Sequence, residues 1–452
     1  MKSKPRQTRR IYVGALVLLA LAMSSPLMAQ EAMRDEAELV AAMDTLVMEE
    51  NQALRALESR SRDFEFQAER AENAWPQPVV EYMLDVSAPW VPHFQTTHGI
   101  QVMQMIPRAG SREAQGAPAR AEARARRVEQ QGQAQDLFRD LRLDLLELAR
   151  QEAREALFEE ERAILEDALD VVAALIPVGR GSQGDLLQLE LARENLLDQI
   201  EVIGNEREER IQALAARAGV DSARIRERIE GLSLTGLLKE EIGGELSSEE
   251  LWRWAREEEP GLERFAASRE VVERRLRLVD ERVRPAPEVM VGYMNAPPRW
   301  EMDGPRMQMF QVGVRIALPV FRDQYDLEAA SWQEAAAAVE EDRIQYLRDL
   351  EGRIEALVSR RDSARRRLQR YQRELIPLAD DFARQILVGL ELGERTATEF
   401  LLATNQEIAL SRQVVELKYR RAQAEIELQR WTGGRMGAES VWAYRISTGV
   451  ER

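Results

Sequence analysis

Two pairs of short segments alternate strictly between apolar and polar residues. In the clearest of them, residues 306–319, polar or small residues at 311, 313, 315 and 317 separate the apolar ones. Alternation with a period of two predicts β-strands with one apolar and one polar face. The predicted strands cover about 78–88, 97–107, 287–295 and 306–319. The predicted oily face of the last strand consists of Phe310, Val312, Val314, Ile316 and Leu318.

Long segments of helical character follow each strand pair. Residues 119–176 contain no proline and a single glycine, Gly132, and residues 322–390 form an equally long stretch with a predicted kink at Pro377. Each meets a glycine-bearing turn and returns, over 184–218 and 396–431. Narrow apolar stripes bury only a seam, so we expect helices packed side by side as coiled coils.

The same order of elements occurs twice, about 210 residues apart, which indicates an internal duplication. The interpretation divides the chain into a signal peptide, a first repeat, a linker or equatorial region, a second repeat and a C-terminal tail. These are residues 1–29, 30–218, 219–262, 263–434 and 435–452.

The N-terminus has the features of a secretory signal peptide. Five basic residues precede an apolar run from Ile11 to Met23 and a small-residue cleavage pattern ending at Ala29. A retained membrane anchor is the alternative, although the run is short for a spanning helix. The chain has no cysteine, so we do not expect a lipoprotein.

The charge argues against a nucleic-acid partner. Removing residues 1–29, with five basic and no acidic residues, moves the formal net charge from −16 to −21. Acidic and basic residues are interleaved, as on the solvated faces of long helices.

Alternating strands in an exported chain are what a transmembrane β-barrel requires, because every backbone polar group must be paired within hydrocarbon. Four strands cannot close a barrel, whose smallest known form has eight. The membrane interpretation therefore demands oligomerisation. A soluble antiparallel sheet with one face on a helix is the alternative.

Taken in order, these elements resemble the TolC-like outer-membrane efflux family. The turn Leu392-Gly393-Glu394-Arg395-Thr396-Ala397-Thr398-Glu399 is similar to the family pattern Val-Gly-x-Arg-Thr-x-x-Asp. The turn Val178-Gly179-Arg180-Gly181-Ser182-Gln183-Gly184-Asp185 is similar to Val-Gly-x-x-x-x-Asp. The opening Asn51-Gln52-Ala53-Leu54 and the strand exits at Pro107 and Pro319 also match, so the resemblance covers essentially the whole mature chain.

The resemblance implies a mainly α-helical protein with a transmembrane β part, in the outer membrane of a Gram-negative cell. Three copies would form one 12-stranded barrel, continued across the periplasm by a helical barrel. Such a homotrimer is a passive exit duct without a cofactor, for tripartite efflux or type I secretion. Its implied partners are outer-membrane lipid, a periplasmic adaptor (membrane fusion) protein and an inner-membrane pump, which sets whether drugs, metal ions or polypeptides are exported.

Site residues are implied position by position. Glu399 corresponds to an acidic ring at the periplasmic mouth, and Asp185 and Arg395 correspond to residues that hold neighbouring helix pairs shut. Alternatively, Glu399 is a solvated carboxylate and Arg395 pairs along its own helix with Glu391 or Glu399. The tips that meet the adaptor correspond to Val178, Gly179, Leu392 and Gly393.

The chain departs from the pattern at three positions of the closed gate. Leu390 stands where some members have a gate tyrosine, Gly184 where a threonine can serve, and Leu402 where a second acidic ring occurs.

No motif supports catalysis or a resident metal: there is no Gly-x-Ser-x-Gly, no phosphate-binding loop with lysine and no His-Glu-x-x-His. We therefore expect no enzyme. His93 and His98 are interpreted as surface residues, and seven strand methionines as packing residues rather than a soft-metal pathway. Two alternatives without channel activity remain, a periplasmic adaptor and a secreted coiled-coil scaffold.

Overall fold

The structure is a computed structural model, and it describes residues 50–86, 96–230, 234–238, 246–296 and 306–433, with single helical positions at 43, 45 and 47. The predicted signal peptide, the predicted tail at 435–452 and His93 lie outside the described residues. Among the described residues, no helix combines the length and the apolar character needed to cross a bilayer.

Helices make up most of the described chain, as predicted. They are α1 (Gln52–Asn73), α2 (Ser111–Leu175), α3 (Gln183–Ala218), α4 (Ser222–Ile229), α5 (Ser248–Glu258), α6 (Pro260–Val283), α7 (Asp323–Arg370), α8 (Ile376–Glu391) and α9 (Ala397–Trp431), with a 3₁₀ turn at Leu234–Leu238 and a π-helical turn at Tyr371–Leu375.

The four predicted strands form one antiparallel sheet in the order β1-β2-β3-β4. They are β1 (Val79–Val86), β2 (Thr96–Met105), β3 (Pro287–Ala296) and β4 (Met307–Ile316). Predicted strand ends differ by up to three residues. Leu318 and Pro319 were predicted inside the last strand and lie beyond it, because Ile316 is the last residue paired with β3, opposite Pro287.

One face of the sheet carries two rows of apolar residues that cross all four strands. Val312 lies opposite Val291, which lies opposite Val102, which in turn lies opposite Val80. Phe310, Ile100, Tyr293 and Tyr82 form the next row. Phe310 and Val312 are each 79% exposed, so no described element covers this face. Among the described residues, the sheet is therefore not packed on a helix by its apolar face.

The opposite face carries the strand methionines together with polar side chains. Met294 lies opposite Met309, and Met103 lies opposite Met290. Gln101 donates to Glu81 (2.6 Å) and to the sulfur of Met103 (3.8 Å) on this face. The two faces thus differ in chemistry as the alternation predicted.

Asn51 shows why its motif opens the first helix. Its side chain accepts from the backbone N–H of Ala53 (2.9 Å) and Leu54 (3.1 Å), and so caps α1. Its amide also donates to the carbonyl of Arg217 (2.9 Å), near the end of α3. Gly219, in the left-handed conformation (φ +78°), ends α3 against the backbone of Asn51.

Two prolines lie in or beside long helices. The prediction began the first long helix at residue 119, yet α2 begins at Ser111 and contains Pro118. Pro377 follows the π-helical turn at Tyr371–Leu375. This turn lies where the proline ring would clash with the backbone carbonyls of a regular α-helix. The chain thus changes helical pitch just before the predicted kink.

The described chain divides into two compact units. The first contains the residues up to Leu54, residues 133–259 and those from Leu350 onward, and the second contains Arg55–Gly132 and Pro260–Asp349. The described part of the predicted linker 219–262 includes α4, the 3₁₀ turn and α5. In the first unit, a buried cluster that includes Leu189 and Phe400 joins α2, α3, α8 and α9.

The first unit also buries charge. Arg430, which is 4% exposed, donates to Glu259 (2.7 Å) and Asp136 (2.8 Å). Removing one partner of such a buried pair typically costs about 3–5 kcal/mol, because the other charge is left uncompensated. This network therefore pins the end of α9.

The second unit contains the sheet and helical segments next to it. Arg275 on α6 pairs with Glu122 on α2 (2.6 Å), and Arg108, after β2, pairs with Glu281 on α6 (2.8 Å). These partly exposed pairs link segments that are more than 150 residues apart in sequence.

Candidate gate at the helix tips

Both helix-connecting turns are built on a left-handed glycine. Gly179 (φ +72°) lies between α2 and α3, and Gly393 (φ +71°) lies between α8 and α9. In each turn two successive backbone N–H groups donate to one carbonyl. The N–H groups of Arg180 and Gly181 donate to the carbonyl of Leu175 (both 3.1 Å). Those of Glu394 and Arg395 donate to the carbonyl of Gly389. This is the glycine-terminated helix end that the motifs predicted.

The helices leaving the turns begin with side-chain caps. Ser182 accepts from Gly184 N–H (3.1 Å) at the start of α3. At the start of α9, Thr396 and Glu399 form a reciprocal capping box: Glu399 N–H donates to the Thr396 hydroxyl (3.3 Å), and Thr396 N–H donates to the Glu399 carboxylate (3.0 Å). The spacing Thr-x-x-Glu was visible in the sequence.

Asp185 and Glu399 occupy the same position, the third residue of their helices, but bond differently. Glu399 bonds within its own turn. Asp185 instead accepts from the backbone N–H of Ala397 (3.2 Å), the first residue of α9 and 212 positions away. One acidic residue therefore closes its own helix end while the other joins the two tips.

Further contacts hold the tips together. The Thr398 hydroxyl donates to the side-chain carbonyl of Gln188 (2.8 Å). A Cβ added at Gly393 would lie 3.1 Å from Cβ of Arg180, so the two turns touch here through a glycine. Gln188 and Arg180 were not singled out in the sequence, because only tertiary contact gives them this role.

Arg395 lies over Glu399. Its guanidinium donates to the Glu399 carboxylate (2.8 Å), four residues further along. Both side chains are about half exposed. Hydrogen bonding from Thr396 N–H, followed by bonding from Arg395, lowers the pKa of Glu399. The carboxylate is thus ionised at neutral pH and paired with a positive charge. The described contact of Arg395 is within one helix end, not between helix pairs.

The remaining predicted positions lie on the tip surface or beneath it. Val178 (68%) and Leu392 (54%) are exposed apolar residues beside the two glycines. Leu402 is also exposed, whereas Leu390 is 3% exposed and belongs to the buried cluster under the tips. Leu390 therefore packs in the core.

No group of metal-ligating carboxylates and histidines occurs in the part of the chain that the structure describes. His98 lies on β2 with both ring nitrogens near hydroxyls, at 2.7 Å from Tyr82 and 3.3 Å from Thr96. The described helix tips present capped, hydrogen-bonded turns.

The fold and the tips define a helical-hairpin protein with a sheet that is apolar on one face. No protein-family model and no curated protein matches the sequence. Solved structures do match the fold along most of the chain.

Three of these structures are outer-membrane proteins or channels. The outer membrane protein VceC of Vibrio cholerae matches with a TM-score of 0.69 and 14% identity, covering 91% of this chain and 99% of VceC. The CmeC channel of Campylobacter jejuni matches at 0.67 and 12%, covering 89% and 87%. The open state of the MtrE channel of Neisseria gonorrhoeae matches at 0.66 and 12%, covering 88% and 89%.

At these identities the likeness establishes the fold. The resemblance to TolC-like channels that the motifs predicted is confirmed at that level. The chain has the fold that these outer-membrane proteins share.

Proposed function

We propose that this protein is the outer-membrane exit duct of a tripartite efflux or type I secretion system, working as a homotrimer. The observation that carries the proposal is the sheet, on which two exposed rows of apolar residues cross all four strands. An exposed apolar surface of this kind is suited to lipid. The channel folds of the solved neighbours support the same conclusion.

The edges of the sheet supply the argument for assembly. β1 and β4 are the outer strands, and neither pairs with a second strand among the described residues. In hydrocarbon each unpaired backbone group costs several kcal/mol, so both edges must be paired by further chains. Two copies would reach the minimum of eight strands, and the channel resemblance favours three copies with 12.

The tips suit a docking and gating role. Val178 and Leu392 expose apolar side chains beside Gly179 and Gly393, where an adaptor protein would bind. Because Asp185 binds the two turns of one chain into a single tip, opening would move whole tips of neighbouring copies apart. Energy would come from an inner-membrane pump, and the duct itself would be passive.

The gate chemistry differs from a bare acidic ring. In the trimer, three Glu399 carboxylates would lie at the narrow mouth, each paired with its own Arg395. Each pair is neutral in sum, so we propose that Arg395 limits the cation preference that the carboxylates would otherwise create.

Disulfide crosslinking between edge strands tests the assembly. The chain has no cysteine, so engineered pairs are unambiguous. Val80→Cys on β1 would be combined in turn with cysteine at Phe310, Val312 or Val314 on β4, in outer-membrane fractions. We expect crosslinked dimers and trimers for at least one register and channel current in planar bilayers. The matched control places the second cysteine at Val291, on an inner strand that does not pair with β1.

Monomers in every register, or a detergent-independent soluble species, would refute the duct. The second result would favour the adaptor or scaffold alternative.

A further inference from the structure

A cavity of about 830 Å³ lies in the second unit where the strands meet the helices. All four strand–helix junctions contribute to its lining. Its charged residues are predominantly basic, although the chain carries a formal net charge of −16. The charged lining consists of Arg108, Arg112, Arg275, Arg282, Arg284 and Glu281.

Two of these arginines share one carboxylate. Arg108 donates to one oxygen of Glu281 (2.8 Å) and Arg284 donates to the other (2.7 Å). This trio retains one positive charge. Arg112 lies over the ring of Trp75 (4.9 Å) and has no carboxylate within 4 Å among the described residues. The cavity is therefore short of negative charge on this side.

The other two arginines each have a carboxylate of their own. Arg275 pairs with Glu122 (2.6 Å) and Arg282 pairs with Glu328 (3.1 Å). Because these pairs are balanced, the excess is located at Arg108, Arg284 and Arg112. A guanidinium pair of this kind matches a sulfonate, carboxylate or phosphate group.

The uncharged part of the lining is mostly apolar, although it also includes Ser111, Gln115 and Gln324. Leu318, Val320 and Phe321, between β4 and α7, are 70%, 75% and 83% exposed, and Leu278 and Tyr325 also line the cavity. An oily wall beside uncompensated guanidinium groups fits a ligand with an anionic group on an apolar body.

The strand residue in the lining indicates from which side a ligand arrives. Met105 belongs to the methionine face of the sheet, opposite to the face of Val312. If the face of Val312 meets lipid, as the proposed function requires, Met105 faces the lumen.

We propose that this cavity binds amphipathic organic anions that pass through the lumen. The lumenal position rests on the proposed function, whereas the anion binding rests on the cavity itself. The charge excess sits where the helical duct would lead into the strands, so it would collect such solutes at the entrance of the barrel.

The test uses the full-length trimer in phosphatidylcholine nanodiscs and two probes with the same body. 1-Anilinonaphthalene-8-sulfonate carries a sulfonate, and N-phenyl-1-naphthylamine lacks it. Fluorescence titrations, corrected with empty nanodiscs, would compare the wild type with Arg112→Gln/Arg284→Gln. A double variant, Arg343→Gln/Arg269→Gln, removes the same charge outside the cavity, from arginines paired with Glu340 and Glu273.

We expect the cavity variant to bind the sulfonate probe at least about tenfold more weakly, since it loses charge-assisted hydrogen bonds. Binding of the neutral probe and both affinities of the control variant should stay at the wild-type values. Unchanged sulfonate binding in the cavity variant, or an equal loss for both probes, would overturn the proposal.

Two further results separate the sources and the two proposals. Loss of wild-type sulfonate binding when phosphatidylglycerol is added to the nanodiscs would show that membrane lipid occupies the site, which overturns the solute proposal. Absence of bilayer current with arginine-dependent sulfonate binding would overturn the duct but support the anion site. Bilayer current without arginine-dependent sulfonate binding would support the duct but overturn the anion site.

Discussion

Replacing Asp185 with alanine removes the acceptor that joins the two helix tips. The Asp185 carboxylate receives the N–H of Ala397 at 3.2 Å, and Ala397 is fully buried. Without it, the first amide of α9 has lost its partner in a site that water reaches poorly. The two turns of one chain should then separate more often, although the helices themselves remain intact.

The size of the effect follows from the bond. A hydrogen bond to a charged acceptor contributes about 1.5–3 kcal/mol, and the half-buried position of Asp185 places this one at the lower end. A loss of about 1–2 kcal/mol corresponds to about a 5- to 30-fold increase in the population of the open tip. Asp185→Asn keeps an acceptor but loses the charge, so its effect should be smaller.

Amide hydrogen exchange followed by mass spectrometry measures this opening directly. Peptides that contain Ala397 should exchange about 5- to 30-fold faster in Asp185→Ala, and less so in Asp185→Asn. Asp198→Ala is the matched control, because Asp198 is an exposed carboxylate on the same helix. If peptides that contain Ala397 exchanged at the wild-type rate in Asp185→Ala, this would refute the view that this bond holds the turns together.

The gate and the long helices give two further predictions. Arg395→Gln should raise the cation-to-anion permeability ratio in planar bilayers, because it exposes the ionised Glu399, whereas Glu399→Gln should lower it; equal ratios in both variants would exclude the pair from the narrow part of the pore. Burial, followed by the nearby charges of Asp380 and Glu160, raises the pKa of Glu407, and Arg384 offsets this in part. The ionised form of Glu407 therefore opposes folding above its folded-state pKa, and this penalty fades as the pH falls through that value. Glu407→Gln should raise the melting temperature at neutral pH, with a gain that shrinks in acid; a gain that is constant with pH would contradict the assignment.

Much of the architecture could be predicted because its signals are local. Alternation over ten residues specified the strands and their faces, as in β4, where Phe310 and Val312 are exposed on the predicted side. The glycines at 179 and 393 specified the turns, since a left-handed residue there favours glycine. Element ends were less certain: Pro118 lies inside α2, and Leu318 lies beyond β4.

The contacts that build the candidate sites were harder to predict from the sequence. The repeated turns made Asp185 and Glu399 look equivalent, yet only Glu399 caps its own helix. No local sequence signal near Asp185 indicates that Ala397 is its hydrogen-bond partner. Similarly, Arg108 and Arg112 read as ordinary polar residues until their neighbours across the junctions were known.

Periodicity, glycine placement and the Thr-x-x-Glu cap are properties of a few consecutive residues, so the chain alone dictates its helices, its one-sided sheet and the shape of its turns. Pairing across more than 150 positions is different, because it depends on which surfaces the packed helices bring within 3–4 Å. Tertiary structure alone thus decided that Asp185 joins the tips and that Arg108 reaches the carboxylate of Glu281. Coulombic and hydrogen-bond energies depend on distance in space, and this distance is not written in sequence order.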